Sequence, residues 1–225
     1  MTYILHIETS TKVCSVALSN NGTLLKLKEE VSEKYIHAER LTILIKIILK
    51  EANLDIKSLS AISVSKGPGS YTGLRIGVST AKGLSYALNI PLIAIDTLKS
   101  LSCLFYTYHK LKSDELIIPM IDARRDEVYT AVFKASGERM SKTSAEVITL
   151  DYFNAFSKYN KIHLLGDGCN KFRLKLTDIK KIIFHDSILC SASSLVSPSF
   201  NAFNEKQFEN TAYFEPFYLK DFKAF

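Results

Sequence analysis

A strand–turn–strand pattern occurs twice in this sequence, and the fold has to accommodate both copies. The segment IETSTKVCSVAL, residues 7 to 18, aligns without a gap with IDARRDEVYTAV, residues 121 to 132. Each segment reads as an apolar strand that ends in an acidic residue, followed by a polar turn and a second strand. The copies share this plan rather than many identical residues, and the recurrence predicts an internal duplication.

Turn signals and apolar periodicity predict the elements around the two copies. Strands are predicted at Tyr3–Glu8, Cys14–Ser19, Thr23–Lys28, Ser60–Ser65 and Leu92–Ile95, and helices at Lys34–Asn53 and Thr72–Leu88. The second part of the chain is predicted to contain strands at Ile117–Asp122, Glu127–Phe133 and Ile182–Phe184, a helix after Gly168 and a helix between Ala192 and Phe203.

The order of these elements favours one fold class. A βββαβα unit has the plan of a ribonuclease-H-like half, and two such halves make the actin-like (ASKHA) fold. We therefore predict a duplicated α/β chain, with residues 1–110 as the N-terminal half that carries the dimerisation helices and residues 111–225 as a reduced C-terminal half. No Pro- or Gly-rich linker separates the two halves, and we place the boundary near Lys110–Asp114.

Composition narrows the class of protein. The chain has 225 residues, 47% of them hydrophobic, which is enough to bury a substantial core. No apolar run approaches the roughly 20 residues that a membrane-spanning helix needs, so we expect a soluble, cytoplasmic protein with no membrane partner. The net charge of +6 would favour approach to RNA, but the lysines are spread along the chain, so we expect nucleic-acid contact only through a complex.

A glycine-rich segment, SVSKGPGSYTGLRIG at residues 63 to 77, lies between a predicted strand and a predicted helix. Backbone amides at such a position commonly bind an anion. The glycine spacing is neither a Rossmann fingerprint nor a P-loop. Two interpretations stay open: a phosphate-binding loop, or a tight turn whose glycines let the helix approach the sheet.

The acid and the small polar residues of the first turn occupy the place where actin-like ATPases hold magnesium and phosphate. The second turn has arginines where a nucleotide-binding chain would need small residues, and these side chains could bind phosphate or fill the pocket. We therefore predict a vestigial nucleotide cleft without a cofactor. Its predicted residues are Glu8, Thr9, Ser10, Gly67, Gly69, Ser70, Asp122 and Arg124.

Two helices have surfaces that would suit a partner. Leu41, Leu44, Ile45 and Ile48 form one apolar face of the first helix, and Ile36, Ile43 and Ile47 form a second face that needs its own cover. The other helix places Gly73, Gly77, Ala81 and Ser85 four residues apart, a ridge along which a helix could pack closely. An interface with another chain and packing within this chain are both open interpretations.

Catalytic groups are not apparent in the sequence. His37 and Glu39 begin the first helix, but a metal-binding pair would need a second histidine one turn later, where Leu41 stands. The other histidines are isolated in sequence, and the four cysteines, which are scattered, are expected to be buried thiols. We predict no catalytic residue and no metal site.

Several segments together resemble the TsaB (YeaZ) family, which is related to the glycoprotease-like actin-fold superfamily. They are ILHIETSTKVCSVALS at 4–19, YIHAERL at 35–41, SVSKGPGSYTGLRIGVSTAKGL at 63–84, IDARRDEVYTAVF at 121–133, LLGDG at 164–168 and EPFYLKDF at 215–222. The GPGSYTGLRIG stretch is the most specific of these, and Glu8 departs from the aspartate of many relatives.

The resemblance implies a non-catalytic scaffold in the complex that forms N6-threonylcarbamoyladenosine in tRNAs. Such a subunit pairs with the transferase TsaD and helps to recruit the ATPase TsaE. A homodimer in isolation is left open. The implied interface residues are Ile36, His37, Arg40, Leu41, Ile43, Leu44, Ile47, Tyr71, Leu74, Arg75, Gly77, Val78 and Ala81. The alternatives are an ATP-dependent actin-fold transferase or kinase, and a metallopeptidase-like protein.

Overall fold

A computed structural model describes residues 1–32 and 36–220 of the chain. The start of the first predicted helix, including Tyr35, and the end of the C-terminal motif, residues 221–222, lie outside these residues. The chain divides into two compact units: Met1–Ser100 with Cys190–Phe225, and Leu101–Leu189. In the described part of the chain, no helix combines the length and apolar character that crossing a membrane requires.

The first unit contains a five-stranded sheet in the order β3-β2-β1-β4-β5. Its strands are β1 (Tyr3–Glu8), β2 (Val13–Asn20), β3 (Thr23–Val31), β4 (Leu59–Gly67) and β5 (Leu92–Asp96). The first three strands pair antiparallel, whereas β4 and β5 continue the sheet parallel to β1. The helices of this unit are α1 (His37–Glu51), α2 (Tyr71–Leu88) and, near the C-terminus, α5 (Val196–Asn204).

Apolar residues cover both faces of this sheet. Leu41 and Ile48 of α1 and Val78 of α2 are buried with Leu5 of β1 on one face. On the opposite face, Ile4 and its neighbours pack with residues of the C-terminal segment in a separate cluster. That cluster contains Ile4, Ala61, Ile93, Ile95, Leu195 and Ala202.

The second unit repeats the strand order of the first. Its strands are β6 (Glu115–Asp122), β7 (Val128–Thr130), β8 (Phe133–Lys134), β9 (Ser144–Glu146), β10 (Lys161–Leu165) and β11 (Ile182–His185). The strand order is β11-β10-β6-β7-β9, with β8 also paired to β6. Strands β7 and β8 pair antiparallel with β6, and β9 pairs antiparallel with β7. Strand β10 pairs parallel with β6, and β11 pairs parallel with β10. This repetition confirms the predicted duplicated ribonuclease-H-like fold.

The second unit is reduced in its helices. A 3₁₀ segment, Asp151–Phe156, lies between β9 and β10, where the first unit has α1. Another 3₁₀ segment, Asp167–Phe172, and the short α4 (Arg173–Leu176) lie where the first unit has α2. The longer α3 (Thr97–Tyr108) contains the boundary between the two units.

The compact units differ from the predicted halves at the C-terminus. The predicted C-terminal half, residues 111–225, contains Cys190–Phe225, but the structure packs that segment in the first unit. The physical reason is apolar burial, because Leu195 and Ala202 fill the face of the first sheet that α1 and α2 leave open. The division at residue 110 stays a prediction about the duplication rather than a description of the packing.

Candidate functional site

The first predicted cleft residue, Glu8, ends β1 in full burial. Its Oε1 accepts hydrogen bonds from the backbone N–H of Ser10 at 2.6 Å and from the hydroxyl of Ser65 at 2.9 Å. Burial raises the pKa of the Glu8 carboxyl, and these hydrogen bonds oppose that rise. Glu8 therefore holds the first turn against β4 through these hydrogen bonds.

The glycine-rich segment lies directly against that first turn. A Cβ atom at Gly69 would be 2.4 Å from the carbonyl oxygen of Ser10, and one at Gly73 would be 2.1 Å from that of Thr9. The hydroxyl of Thr9 also donates a hydrogen bond to the carbonyl oxygen of Gly73 at 2.8 Å. The close-approach interpretation therefore accounts for these glycines, because the backbone of residues 9 and 10 fills the space next to their Cα atoms.

Ser70 links the glycine-rich segment to α2. Its backbone N–H donates to the carbonyl oxygen of Ser10 at 2.6 Å, and its hydroxyl caps the helix by accepting from the N–H of Gly73 at 3.3 Å. Gly67, the first cleft glycine, ends β4 with a φ of 107°, a conformation that favours glycine. The nucleotide cleft itself stays a prediction.

The second predicted turn is held by a lysine that the sequence analysis missed. Lys171 donates from Nζ to Asp122 Oδ1 at 2.6 Å, to the carbonyl oxygen of Arg125 at 2.7 Å and to that of Glu127 at 3.0 Å. Asp122 Oδ1 also accepts from the backbone N–H of Arg124 at 2.6 Å. Asp122 and Arg124 therefore belong to one closed turn in the second unit.

Asp167, the first residue of the 3₁₀ segment after β10, supports the same turn. Its Oδ1 accepts from the N–H of Asp122 at 3.2 Å, and burial raises the pKa of the Asp167 carboxyl. The preceding Gly166 has a φ of 97°. A Cβ there would be 2.3 Å from the carbonyl oxygen of Met120. Asp167 therefore has the turn-forming role that the LGDG motif allows.

The α1 residues predicted for a partner interface divide into buried and surface positions. His37 is buried, and its Nε2 donates to the carbonyl oxygen of Thr11 at 2.7 Å. Burial lowers the pKa of His37, so the ring is held neutral inside the chain. Leu41 and Leu44 are also buried, in the core under the helix. These three residues are corrected from interface to core.

The second apolar face of α1 does lie at the surface. Ile43 is 40% exposed, and Ile36 and Ile47 are partly exposed. Arg40 is also partly exposed and donates from Nε to Glu30 Oε2 at 2.7 Å. The structure thus keeps the predicted three-isoleucine face available on the outside of the first unit.

The small-residue ridge of α2 is turned inward. Gly77 packs against Thr9, whose Oγ1 would lie 2.2 Å from an added Cβ, and Ala81 is fully buried. Leu74 and Val78 are buried beside them. At Gly73 and Gly77 the first turn of the same chain covers this ridge, which favours packing within the chain. An interface with another chain at this ridge stays a prediction.

Tyr71 and Arg75 remain at the surface of α2. The guanidinium of Arg75 lies 5.0 Å from the ring centroid of Tyr71. The ring of Tyr218, from the C-terminal segment, is 4.7 Å from the same Tyr71 ring. These side chains therefore form an aromatic and cationic surface at the start of α2.

Three histidines that are distant in sequence come together in the second unit. His163 Nδ1 is 2.9 Å from His185 Nε2, and His163 Nε2 is 3.3 Å from Glu115 Oε2. The His109 ring centroid is 5.1 Å from that of His185. Burial lowers the pKa of His163, and it lowers that of His185 to about 4. The described residues nevertheless contain no group of three or more potential ligands arranged to hold a metal ion.

Comparisons with known proteins identify the family. The chain is 37% identical to the tRNA threonylcarbamoyladenosine biosynthesis protein TsaB of Buchnera aphidicola subsp. Acyrthosiphon pisum over 58% of its own length and 57% of the relative. It is also 37% identical to the Bacillus subtilis protein of that name, over 58% and 55% of the two chains. A family model described as TsaD: tRNA N6-adenosine threonylcarbamoyltransferase matches residues 30–224. The chain belongs to this family, in its TsaB (YeaZ) branch.

Solved structures agree with the TsaB assignment. YeaZ from Pseudomonas aeruginosa superimposes with a TM-score of 0.80 at 28% identity, covering 97% of this chain and 100% of that one. A Bacteroides thetaiotaomicron protein with an actin-like ATPase fold matches with a TM-score of 0.50 at 13% identity, covering 87% and 96% of the two chains, and supports the fold alone. The chain spans slightly more than half of the length of the two curated TsaB relatives.

Proposed function

We propose that this chain is a non-catalytic subunit of the machinery that forms N6-threonylcarbamoyladenosine in tRNAs. The relatives named as biosynthesis proteins for this nucleoside support the pathway. The observation that carries the scaffold role is the three-isoleucine face of α1, where Ile43 is exposed and Ile36 and Ile47 are partly exposed, although another apolar face of the helix is buried in the core. An apolar helix face of this kind is suited to a protein partner.

The partner that we propose for this face is TsaD. The surface residues Tyr71 and Arg75 at the start of α2 extend it, because α1 and α2 adjoin where the His37 ring lies against Gly73. Aromatic and arginine side chains are enriched at protein interfaces. The proposed interface therefore consists of Ile36, Arg40, Ile43, Ile47, Tyr71 and Arg75.

Residue chemistry supports the absence of catalysis by this chain. A second metal-binding histidine one turn after His37 is replaced by Leu41, and both side chains are buried. At the first turn, the backbone of Thr9 and Ser10 fills the space beside Gly69 and Gly73. We propose that the chemistry belongs to TsaD and that the pair of chains provides the surface that recruits TsaE.

Sedimentation velocity of this chain mixed with TsaD from the same organism tests the proposal. We expect a one-to-one complex that Ile43→Glu weakens by at least tenfold, since a carboxylate placed in an apolar interface costs about 1.4 kcal/mol or more. The control is Leu25→Glu, which changes a 44% exposed leucine on β3 instead. Absence of a complex with folded wild-type chain, or equal effects of the two variants, would contradict the proposed interface.

A further inference from the structure

Residues 209–220, which we call the strap, run back along α2 toward the start of that helix. The backbone N–H of Glu209 donates to the carbonyl oxygen of Leu92 on β5 at 2.9 Å. Further along the strap, Lys82 of α2 donates from Nζ to the carbonyl oxygen of Phe214 at 2.8 Å. These hydrogen bonds fix the backbone of the strap against the first unit.

The strap meets the glycine-rich segment at Phe217. The backbone N–H of Phe217 donates to the carbonyl oxygen of Lys66 at 2.7 Å. A Cβ atom at Gly67 would be 2.6 Å from the carbonyl oxygen of Phe217, so a larger residue at Gly67 would displace the strap. The described part of the EPFYLKDF motif, residues 215–220, therefore contacts the glycine-rich segment, although the two are distant in sequence.

The next residue of the strap, Tyr218, packs on the start of α2. Its ring centroid is 4.7 Å from that of Tyr71. Burial raises the pKa of Tyr218, while the charge of Arg75 and a hydrogen bond with the Arg75 side chain oppose that rise. Tyr218 therefore contacts both of the α2 residues that we assign to the proposed interface.

Four neighbouring side chains at this end of α2 form what we call the aromatic surface: Tyr71, Arg75, Phe217 and Tyr218. Phe217 is 39% exposed although its backbone is fixed, Arg75 is exposed, and the two tyrosines are half-buried. The exposed Glu215 acts electrostatically on Tyr218 alongside Arg75, so charges of both signs are present. The rings rather than a net charge distinguish this surface.

A protein partner suits the aromatic surface. Aromatic and arginine side chains often dominate the energy of protein–protein binding. Rings on a backbone that is already fixed lose little further conformational entropy when a partner covers them. The surface also continues the three-isoleucine face of α1, because His37, next to Ile36, lies 3.2 Å from a Cβ placed at Gly73, two residues after Tyr71. One partner can therefore cover both.

We propose that Phe217 and Tyr218 of the strap complete the surface that binds TsaD, an inference that rests on the proposed function. The interface then has an aliphatic part on α1 and an aromatic part that α2 and the strap form together. The strap brings Phe217 and Tyr218 to this surface, and Tyr218 holds Tyr71 and Arg75 in place. Complex formation therefore requires a docked strap.

Substitutions in the strap test this proposal by sedimentation velocity with TsaD from the same organism. Tyr218→Ala removes the ring and should weaken the complex at least about tenfold, whereas Tyr218→Phe keeps the ring and should bind within about threefold of the wild type. Phe217→Ala keeps the backbone bond to Lys66 and should also weaken the complex, by at least about threefold. The matched control is Tyr213→Ala, which removes an 83% exposed tyrosine of the same strap and should leave the affinity unchanged.

The thermal midpoint of each variant shows whether it is folded under the conditions of the binding measurement. Folded Tyr218→Ala and Phe217→Ala chains that bind TsaD as tightly as Tyr213→Ala would overturn the proposal, while a complex that Ile43→Glu weakens would leave the proposed function in place. No complex with the folded wild-type chain would contradict both. Self-association that Tyr218→Ala abolishes, with unchanged affinity for TsaD, would assign the surface to a second copy of this chain and overturn the proposal.

Discussion

Burial shifts the pKa values of two ionisable residues of β1 for the same reason. Burial lowers the pKa of His6 to about 3 and raises the pKa of Glu8. In both cases the charged form loses its hydration, so the neutral form is favoured. His6 Nε2 lies 2.8 Å from the hydroxyl oxygen of Ser19 on β2, within hydrogen-bonding distance. Strand β1 therefore carries two ionisable side chains through the core of the first unit, where burial favours their neutral forms.

His6 predicts a loss of stability in mild acid. In the unfolded chain this histidine takes up a proton near its ordinary pKa of 6.5, whereas the folded chain does so only near 3. Stability therefore falls as the pH drops below 6.5. At about pH 5 the loss from His6 is roughly 2 kcal/mol.

His6→Gln should reduce that loss, because glutamine does not titrate. Urea unfolding at about pH 7.5 and about pH 5 measures it: we expect the free-energy difference between the two conditions to shrink by roughly 2 kcal/mol in the variant. His37, His163 and His185, whose pKa values burial also lowers, should keep a remaining dependence. An unchanged difference would show that His6 titrates normally in the folded chain.

Periodicity predicted which residues share a helix face but not what covers that face. The core stripe Leu41, Leu44, Ile45 and Ile48 of α1 is confirmed as buried. The ridge of α2 was correctly read as a site of close packing, and its neighbours at Gly73 are the turn at Thr9 and the His37 ring of α1. A turn more than 60 residues away in sequence gives no periodic signal in the helix. The hydrogen bonds of Lys171 to the second turn were not predicted for the same reason, because Lys171 lies 46 residues from Arg125.

Two glycines of α2 should respond oppositely to the same substitution. Gly73→Ala places a Cβ 2.1 Å from the backbone oxygen of Thr9 and should destabilise the chain by about 1–3 kcal/mol. Gly83→Ala meets no atom within 4 Å and should stabilise it by up to about 1 kcal/mol, because alanine is the better helix former. The urea unfolding midpoints of the two variants test both expectations. A higher midpoint for Gly73→Ala than for the wild type would contradict the close contact between Gly73 and Thr9.

At the scale of the molecule, the sequence predicted the duplication correctly because both halves contain the same strand plan. It did not predict where the C-terminal segment packs. Residues 170 to 205 contain no motif, and the apolar residues Leu195 and Ala202 fit either unit by composition. Their place is decided by the apolar face formed by Ile4, Ala61 and Ile93, which only the folded sheet brings together.

Leu195→Ala distinguishes the observed packing from the predicted halves. Removing this fully buried side chain should cost about 2–5 kcal/mol. Hydrogen exchange should then accelerate in β1, β4 and β5 of the first unit rather than in β6, β10 and β11. Leu174→Ala, at a leucine that is 93% exposed, is the control and should change stability by less than about 0.5 kcal/mol. Faster exchange centred on the second unit would support the division at residue 110.

The return of Cys190–Phe225 to the first unit has a consequence for synthesis on the ribosome. Domains commonly fold in the order in which they emerge. Here Leu101–Leu189 is contiguous, whereas the sheet that is translated first waits for Leu195 and Ala202 to cover its second face. The middle of the nascent chain can therefore be complete while the beginning still exposes apolar strands. During that interval the exposed early strands are prone to aggregation, and a premature stop after α4 would leave them permanently uncovered.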